Sequence, residues 1–236
     1  MKESDLIKEI IKYDTPSVTN VVATYPDKPD ICLGLYDPWS VNWYTDDSVR
    51  CLYPEMGRVA GHAVTCIFGA PSPGSNSLTF LDVLRALDES PRPTVLVIKN
   101  GFPEAYKRKC AVCGGNMSTA MVKAGTVGVI SDAPTRDVDE VRGMGLQYLV
   151  TGATAGHGEF VIKAINVPVS VAGMDVCPGE IIHLDENGAV KFPRVHLAEV
   201  ASRLKKLQKI EETRMAKMRA AKNVSEVIKI LQGFES

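Results

Sequence analysis

Residues 114–132 read GGNMSTAMVKAGTVGVISD. A glycine pair opens the stretch. Met117, Ala120, Met121 and Ala124 then recur on one face of a helix. Gly125 ends that helix, and TVGVISD follows as a short apolar strand of the buried kind. The same unit repeats on both sides. Upstream, RVAGHAVTCIF (58–68) is a strand, LTFLDVLRALDES (78–90) a helix and TVLVIK (94–99) a buried strand. Downstream, VDEVRGMG (138–145) is a short helix closed by glycine, and QYLVTG (147–152) another strand. This alternation predicts an α/β fold, with helices packed on a largely parallel sheet.

Away from this centre the texture changes. SDLIKEIIKY (4–13) has helical spacing with Ser4 as an N-cap, and DTPSVTNVVATY (14–25) reads as a second helix with Pro16 in its first turn. Residues 26–57 hold both tryptophans, Trp39 and Trp43, and no period; they read as an irregular excursion, functional or interfacial. Trp39, Trp43 and Tyr44 are expected to pack on a neighbouring subunit. VPVSVAGMDVCPGEIIHLDENGAVKFP (167–193) alternates as a β-rich module, with a hairpin at DENG (185–188). A long charged helix spans 196–221, and 224–234 ends the chain with Val224, Val227, Ile228, Ile230, Leu231 and Phe234. That apolar end also predicts docking on another subunit. Residues 1–236 read as one domain, with 196–236 a C-terminal helical extension.

Hydrophobic residues make up 45% and charged residues 23% of 236, enough for a sizeable core without disulfide or metal staples. A formal net charge of −1 offers no global field for a nucleic-acid backbone, so no nucleic-acid partner is expected. Nor is a membrane partner, since no run has the apolar length of a membrane span. MKESDLIKEIIKY (1–13) does not read as a signal peptide, so a reducing cytoplasm and free thiols are expected for the six cysteines. Cys110-Ala-Val-Cys113 has no second pair to complete a zinc site. His62 and His183 lie in strands and read as core residues; His157, flanked by glycines in TAGHGEF (154–160), could line the interface cleft, with a loop histidine without a partner as the default reading.

Chemistry concentrates at 113–137. Gly114, Gly115, Asn116 and Met117 enter a helix, where unpaired N–H groups favour an anion. Arg136 and Asp137 follow a buried strand at its carboxyl end, where ligands of open α/β sheets bind. Arginine offers a fork for a carboxylate, and aspartate a hard oxygen for Mg²⁺. The bland alternative is a surface ion pair or a helix N-cap.

GGNMSTAMVKAGTVGVISDAPTRDVDEV (114–141) resembles the signature region of the RraA-like family. GRVAGHAVTC (57–66), the β segment 167–193 and the long C-terminal helix follow in family order. The family includes 4-hydroxy-4-methyl-2-oxoglutarate and 4-carboxy-4-hydroxy-2-oxoadipate aldolases, the regulator of ribonuclease E, and demethylmenaquinone methyltransferase-like proteins. The resemblance implies an α-β-β-α layered, swivelling-domain-like fold and homotrimers or dimers of trimers with sites between subunits. It further implies Mg²⁺ (or Mn²⁺) held by Asp137, with Arg136 and the amides of Gly114, Gly115, Asn116 and Met117 on a 2-keto acid. A glutamate of a neighbour's C-terminal helix, Glu212 or next Glu211, reaches the metal through water. The implied reaction is retro-aldol release of pyruvate, with oxaloacetate decarboxylation as a side activity.

The chain departs from the pattern at three places. Gly115 stands where the aldolases carry an acid, Asn20 where many members have aspartate, and ESPRP (89–93) where they have PGD. A non-catalytic regulatory protein and an enzyme acting on another sugar-derived acid therefore stay open beside the metal-dependent lyase.

Overall fold

The computed structural model describes residues 2–25, 28–40, 42–75 and 78–233. The chain opens with α1 (Glu3–Ile10) and α2 (Thr15–Val22), then forms β1 (Arg50–Cys51), a 3₁₀ turn at Pro54–Met56 and the long β2 (Val59–Gly69). Next come α3 (Phe80–Glu89), β3 (Thr94–Asn100), α4 (Gly115–Lys123), β4 (Thr126–Ser131), α5 (Val138–Arg142) and β5 (Gln147–Val150). The β-rich part holds β6 (Val161–Ile165), β7 (Val169–Val171), β8 (Met174–Val176), β9 (Ile181–Asp185) and β10 (Gly188–Phe192). Helices α6 (Leu197–Ala220) and α7 (Val224–Gln232) follow.

The strands read from the sequence form the parallel centre β2-β3-β4-β5, flanked by antiparallel β9-β10 on one side and β1 on the other. The carboxyl half of β2 also pairs with β6, a strand the sequence reading had not assigned. Period-two alternation sorts the side chains. Val64, Cys66, Phe68, Leu96 and Ile98 pack with α3, α4 and α5, while Ala63, Val95 and Val97 pack with the β7-β8 ribbon. The fold is thus mixed α/β and layered, with the long C-terminal helix as expected.

Residues 43–51 nearly close the sheet. Tyr44 bridges Val190, and the Thr45 N–H donates to the Ala189 carbonyl at 2.9 Å, so the segment adds to the β10 edge. A few residues later, Arg50 and Cys51 pair with Val150 and Leu149 at the opposite edge. The excursion is therefore ordered pairing over part of its length. It carries no sequence period because each contact is short and lies on a different strand.

Two further expectations are corrected. Lys2, not Ser4, is the N-cap of α1; it has the extended backbone a cap needs, and Ser4 lies within the first turn. Trp43 is buried in its own chain, stacked on Tyr36 at 5.2 Å with its indole N–H donated to the Asp37 carbonyl, whereas Trp39 is exposed. The charged helix also has a core of its own. Leu197, Val200, Leu204 and Leu207 of α6 pack against α1, α2 and β10, at roughly 1.5–3 kcal/mol per buried side chain. Val224, Ile228 and Leu231 of α7 stay exposed, and Phe234 lies outside the described residues.

Candidate active site

Three segments meet beyond the carboxyl end of β4, held by their backbones. The Val112 N–H donates to the Pro134 carbonyl, and the Arg136 N–H and Thr135 hydroxyl both donate to the Cys113 carbonyl. Thr135 is tied in turn to Gly152 and Thr154, and the Ala111 N–H donates to the Gly156 carbonyl. These contacts bring Gly114, Asp137 and His157 to one place.

Asp137 precedes α5 in the N-cap position, yet its side chain does not cap that helix. It caps α4: the Gly115 N–H donates to Asp137 Oδ2 at 2.9 Å. Asp137 holds a left-handed backbone, φ 57° and ψ 41°, which costs a non-glycine residue about 1 kcal/mol. Strained residues of this kind cluster at active sites and ligand clamps. Arg136 Nε lies 3.6 Å from Asp137 Oδ2, and both side chains are over a third exposed, so the ion pair itself contributes little to stability. Their charges remain available to a ligand.

Gly114 is needed for space, whereas Gly115 leaves room that the flexible Glu140 side chain fills. A Cβ on Gly114 would lie 2.5 Å from Asp137 Oδ2 and 3.0 Å from Arg136 Nε. A Cβ on Gly115 would lie 2.2 Å from the carboxyl carbon of Glu140. The absent acid at position 115 thus has an acid in its place, delivered from α5. Glu140 makes no side-chain hydrogen bond or ion pair among the described residues, and sequence reading had passed over it. The Gly115 amide, expected on a substrate anion, is taken by Asp137. The amides of Asn116 and Met117, in the first turn of α4, have no intrahelical partner and stay open to an anion.

Gly114 to Met117, Arg136, Asp137 and His157 line one cleft with a cavity of about 70 Å³. That is small beside the roughly 300–1,000 Å³ of complete ligand pockets. Among the described residues no cluster of three or more His, Cys, Asp or Glu side chains could enclose a metal. The donors nevertheless fit a hard cation that keeps most of its waters. Asp137 and Glu140 are carboxylates bordering Gly115, and Mg²⁺ needs only one or two of these. They do not fit zinc, whose sites use three or four protein ligands that include His or Cys.

Glu212 and Glu211 do not line this cleft. Glu212 accepts a hydrogen bond from Gln208 at 2.8 Å on exposed α6, and Glu211 lies 4.0 Å from Arg214. Asn20 sits by a separate groove with Cys32 and Glu211. Cys110 and Cys113 are free and buried, and burial pushes the Cys113 thiol up to about 12, which leaves it neither nucleophile nor ready ligand. His62 and His183 are core residues, as read. No described helix is long and apolar enough to cross a membrane.

Comparison with known proteins agrees with this fold. A family model described as RraA-like, Aldolase/RraA, matches residues 35–191. The 4-hydroxy-4-methyl-2-oxoglutarate aldolase of Thermus thermophilus is 29% identical over 117 residues, which are 47% of this chain and 66% of that protein. Protein DlpA of Legionella pneumophila is 26% identical over 135 residues, 56% of this chain and 21% of that protein. The chain thus spans less than two thirds of either curated relative. In structure, Streptomyces coelicolor RraAS2, a member of the RNase ES inhibitor RraA family, superposes with a TM-score of 0.63 at 21% identity. That match covers 89% of this chain and 94% of RraAS2, and it speaks for the fold.

Proposed function

The chain belongs to the RraA-like family, and on that premise we propose that it is a divalent-metal-dependent lyase. It cleaves a 4-hydroxy-2-keto acid by retro-aldol chemistry to release pyruvate, with oxaloacetate decarboxylation as a side activity. The observation that carries the reading is Asp137, held in a strained backbone between the Gly115 amide and Arg136. The aldolase name of the Thermus relative supports the reaction class.

Arg136 grips the carboxylate of the keto acid through its fork, and the Asn116 and Met117 amides add hydrogen bonds at the α4 N-terminus. Asp137 and Glu140 would hold the cation, Mg²⁺ or Mn²⁺. A cation bound there would supply Lewis acidity to the substrate. The positive guanidinium beside it favours the enolate charge that develops as the C–C bond breaks. The test is pyruvate release from 4-hydroxy-4-methyl-2-oxoglutarate and related keto acids, with Mg²⁺ and with EDTA. We expect release with metal and its loss in EDTA; undiminished turnover in EDTA overturns the reading.

Lysine cannot reproduce a bidentate fork. Arg136→Lys should lower kcat/KM at least about tenfold, or about 1.4 kcal/mol. An unchanged value would make the arginine structural.

The small cleft and the exposed apolar face of α7 support a site completed by a second copy, in a trimer or dimer of trimers. Glu212 from that copy would then approach the cation through water. Glu212→Gln and Asp137→Asn subunits, each impaired alone, should regain part of the activity when mixed and reassembled. A fully active monomer in light scattering, or an inert Glu212→Gln, would sink the shared site.

A further inference from the structure

Retro-aldol cleavage needs a group that takes one proton and gives it back. Few side chains of the cleft qualify. Arginine does not release its proton in a protein. Asp137 is engaged by the Gly115 N–H, and the Cys113 thiol is buried with its acidity suppressed. Among the described residues, the remaining ionisable side chain lining the cavity is His157.

Its ring is set for the task. Nδ1 lies 3.0 Å from the Gly158 carbonyl oxygen. A carbonyl only accepts, so Nδ1 carries the hydrogen and Nε2 of the neutral ring keeps its lone pair. The ring stands edge-on to Phe160 at 6.3 Å and 71° between planes. Phe160 is itself stacked on buried Phe68 at 5.1 Å, which anchors this wall of the cleft to the core. The loop before His157 is tied to the substrate-facing loop by the hydrogen bond from Ala111 to Gly156.

We propose that His157 is the proton-transferring residue of the site, a role that rests on the lyase reading above. Nε2 takes the proton of the substrate's C4 hydroxyl. The C3–C4 bond breaks, its electron pair passes into the C2–C3 enolate, and C4 becomes a carbonyl that leaves. The imidazolium then returns the proton to C3, giving the methyl group of pyruvate and regenerating neutral imidazole. One proton is borrowed and returned, and no oxidant or reductant is needed.

The second half of this cycle can be read without C–C cleavage. With Mg²⁺ present in D₂O, the wild-type chain should exchange the C3 hydrogens of pyruvate, visible as loss of the methyl proton NMR signal. His157→Asn keeps a donor near the Gly158 carbonyl but has no titratable nitrogen. It should lower both the exchange rate and kcat by about 10²–10⁴-fold. Pyruvate affinity by calorimetry should change less than about threefold, because Arg136 and the helix amides carry binding. Exchange at the wild-type rate in His157→Asn overturns the role, as does a loss of exchange matched by a loss of pyruvate binding. A wild-type chain that neither cleaves the keto acids nor exchanges pyruvate overturns the lyase reading and this role with it. A wild-type chain that does both while His157→Asn is unaffected overturns this role alone.

Discussion

Asp137→Asn should weaken Mg²⁺ or Mn²⁺ binding by about 100-fold or more and lower kcat/KM by about 10²–10³-fold, or about 3–4 kcal/mol. Asparagine is the informative substitution because it spares the structure. Its side-chain oxygen still accepts from the Gly115 N–H, and asparagine adopts the left-handed backbone that Asp137 holds. What is lost is the negative charge alone. Stability should stay within about 0.5 kcal/mol of the parent. Asp137→Ala would be ambiguous, since it also leaves the α4 amide without its acceptor. Calorimetric titration with metal, beside a urea melt, separates the two effects. Full metal affinity in Asp137→Asn would remove Asp137 from the metal site.

Acidification should destabilise the fold well before the carboxylates titrate. Burial, partly offset by Asp185, pulls the His183 imidazole down from 6.5 to about 4. Burial likewise lowers His62, whose two ring nitrogens have no hydrogen-bond partner among the described residues and whose Nε2 lies 3.9 Å from the Glu3 carboxylate. The folded chain therefore keeps both rings neutral, while the unfolded chain takes up protons near the ordinary histidine value. Below that value the unfolded state binds more protons, so stability falls as pH falls. For His183 the decline runs from about pH 6.5 to about pH 4 and amounts to about 3 kcal/mol. Urea midpoints between pH 7.5 and 4.5 measure it, and His183→Gln should flatten the slope. A midpoint constant across that range would show that these rings accept protons in the folded state.

The sequence by itself determined the strands and helices of 94–152, the DENG hairpin, the core character of His62 and His183, and the polar-glycine segment bearing Arg136 and Asp137. These are local properties: a period of two or 3.6, a glycine at a helix end, a short apolar run. Local pattern reports that a face is buried, not what buries it. Trp43 was legible as a side chain needing cover, but only the folded chain placed Tyr36 against it. Strand β6 fell between clear periods, and its place beside β2 follows from pairing across distant residues. The site divides the same way. Gly115 looked like a lost acid, because no spacing rule says that α5 docks with Glu140 over that glycine. His157 was legible as a glycine-flanked loop residue that could line a cleft, but only the pins from Ala111 to Gly156 and from Thr135 to Gly152 and Thr154, which join segments far apart in the chain, placed it beside Gly114 and Asp137. Contacts of that kind are set by sheet register and loop closure, and only the tertiary structure decides them.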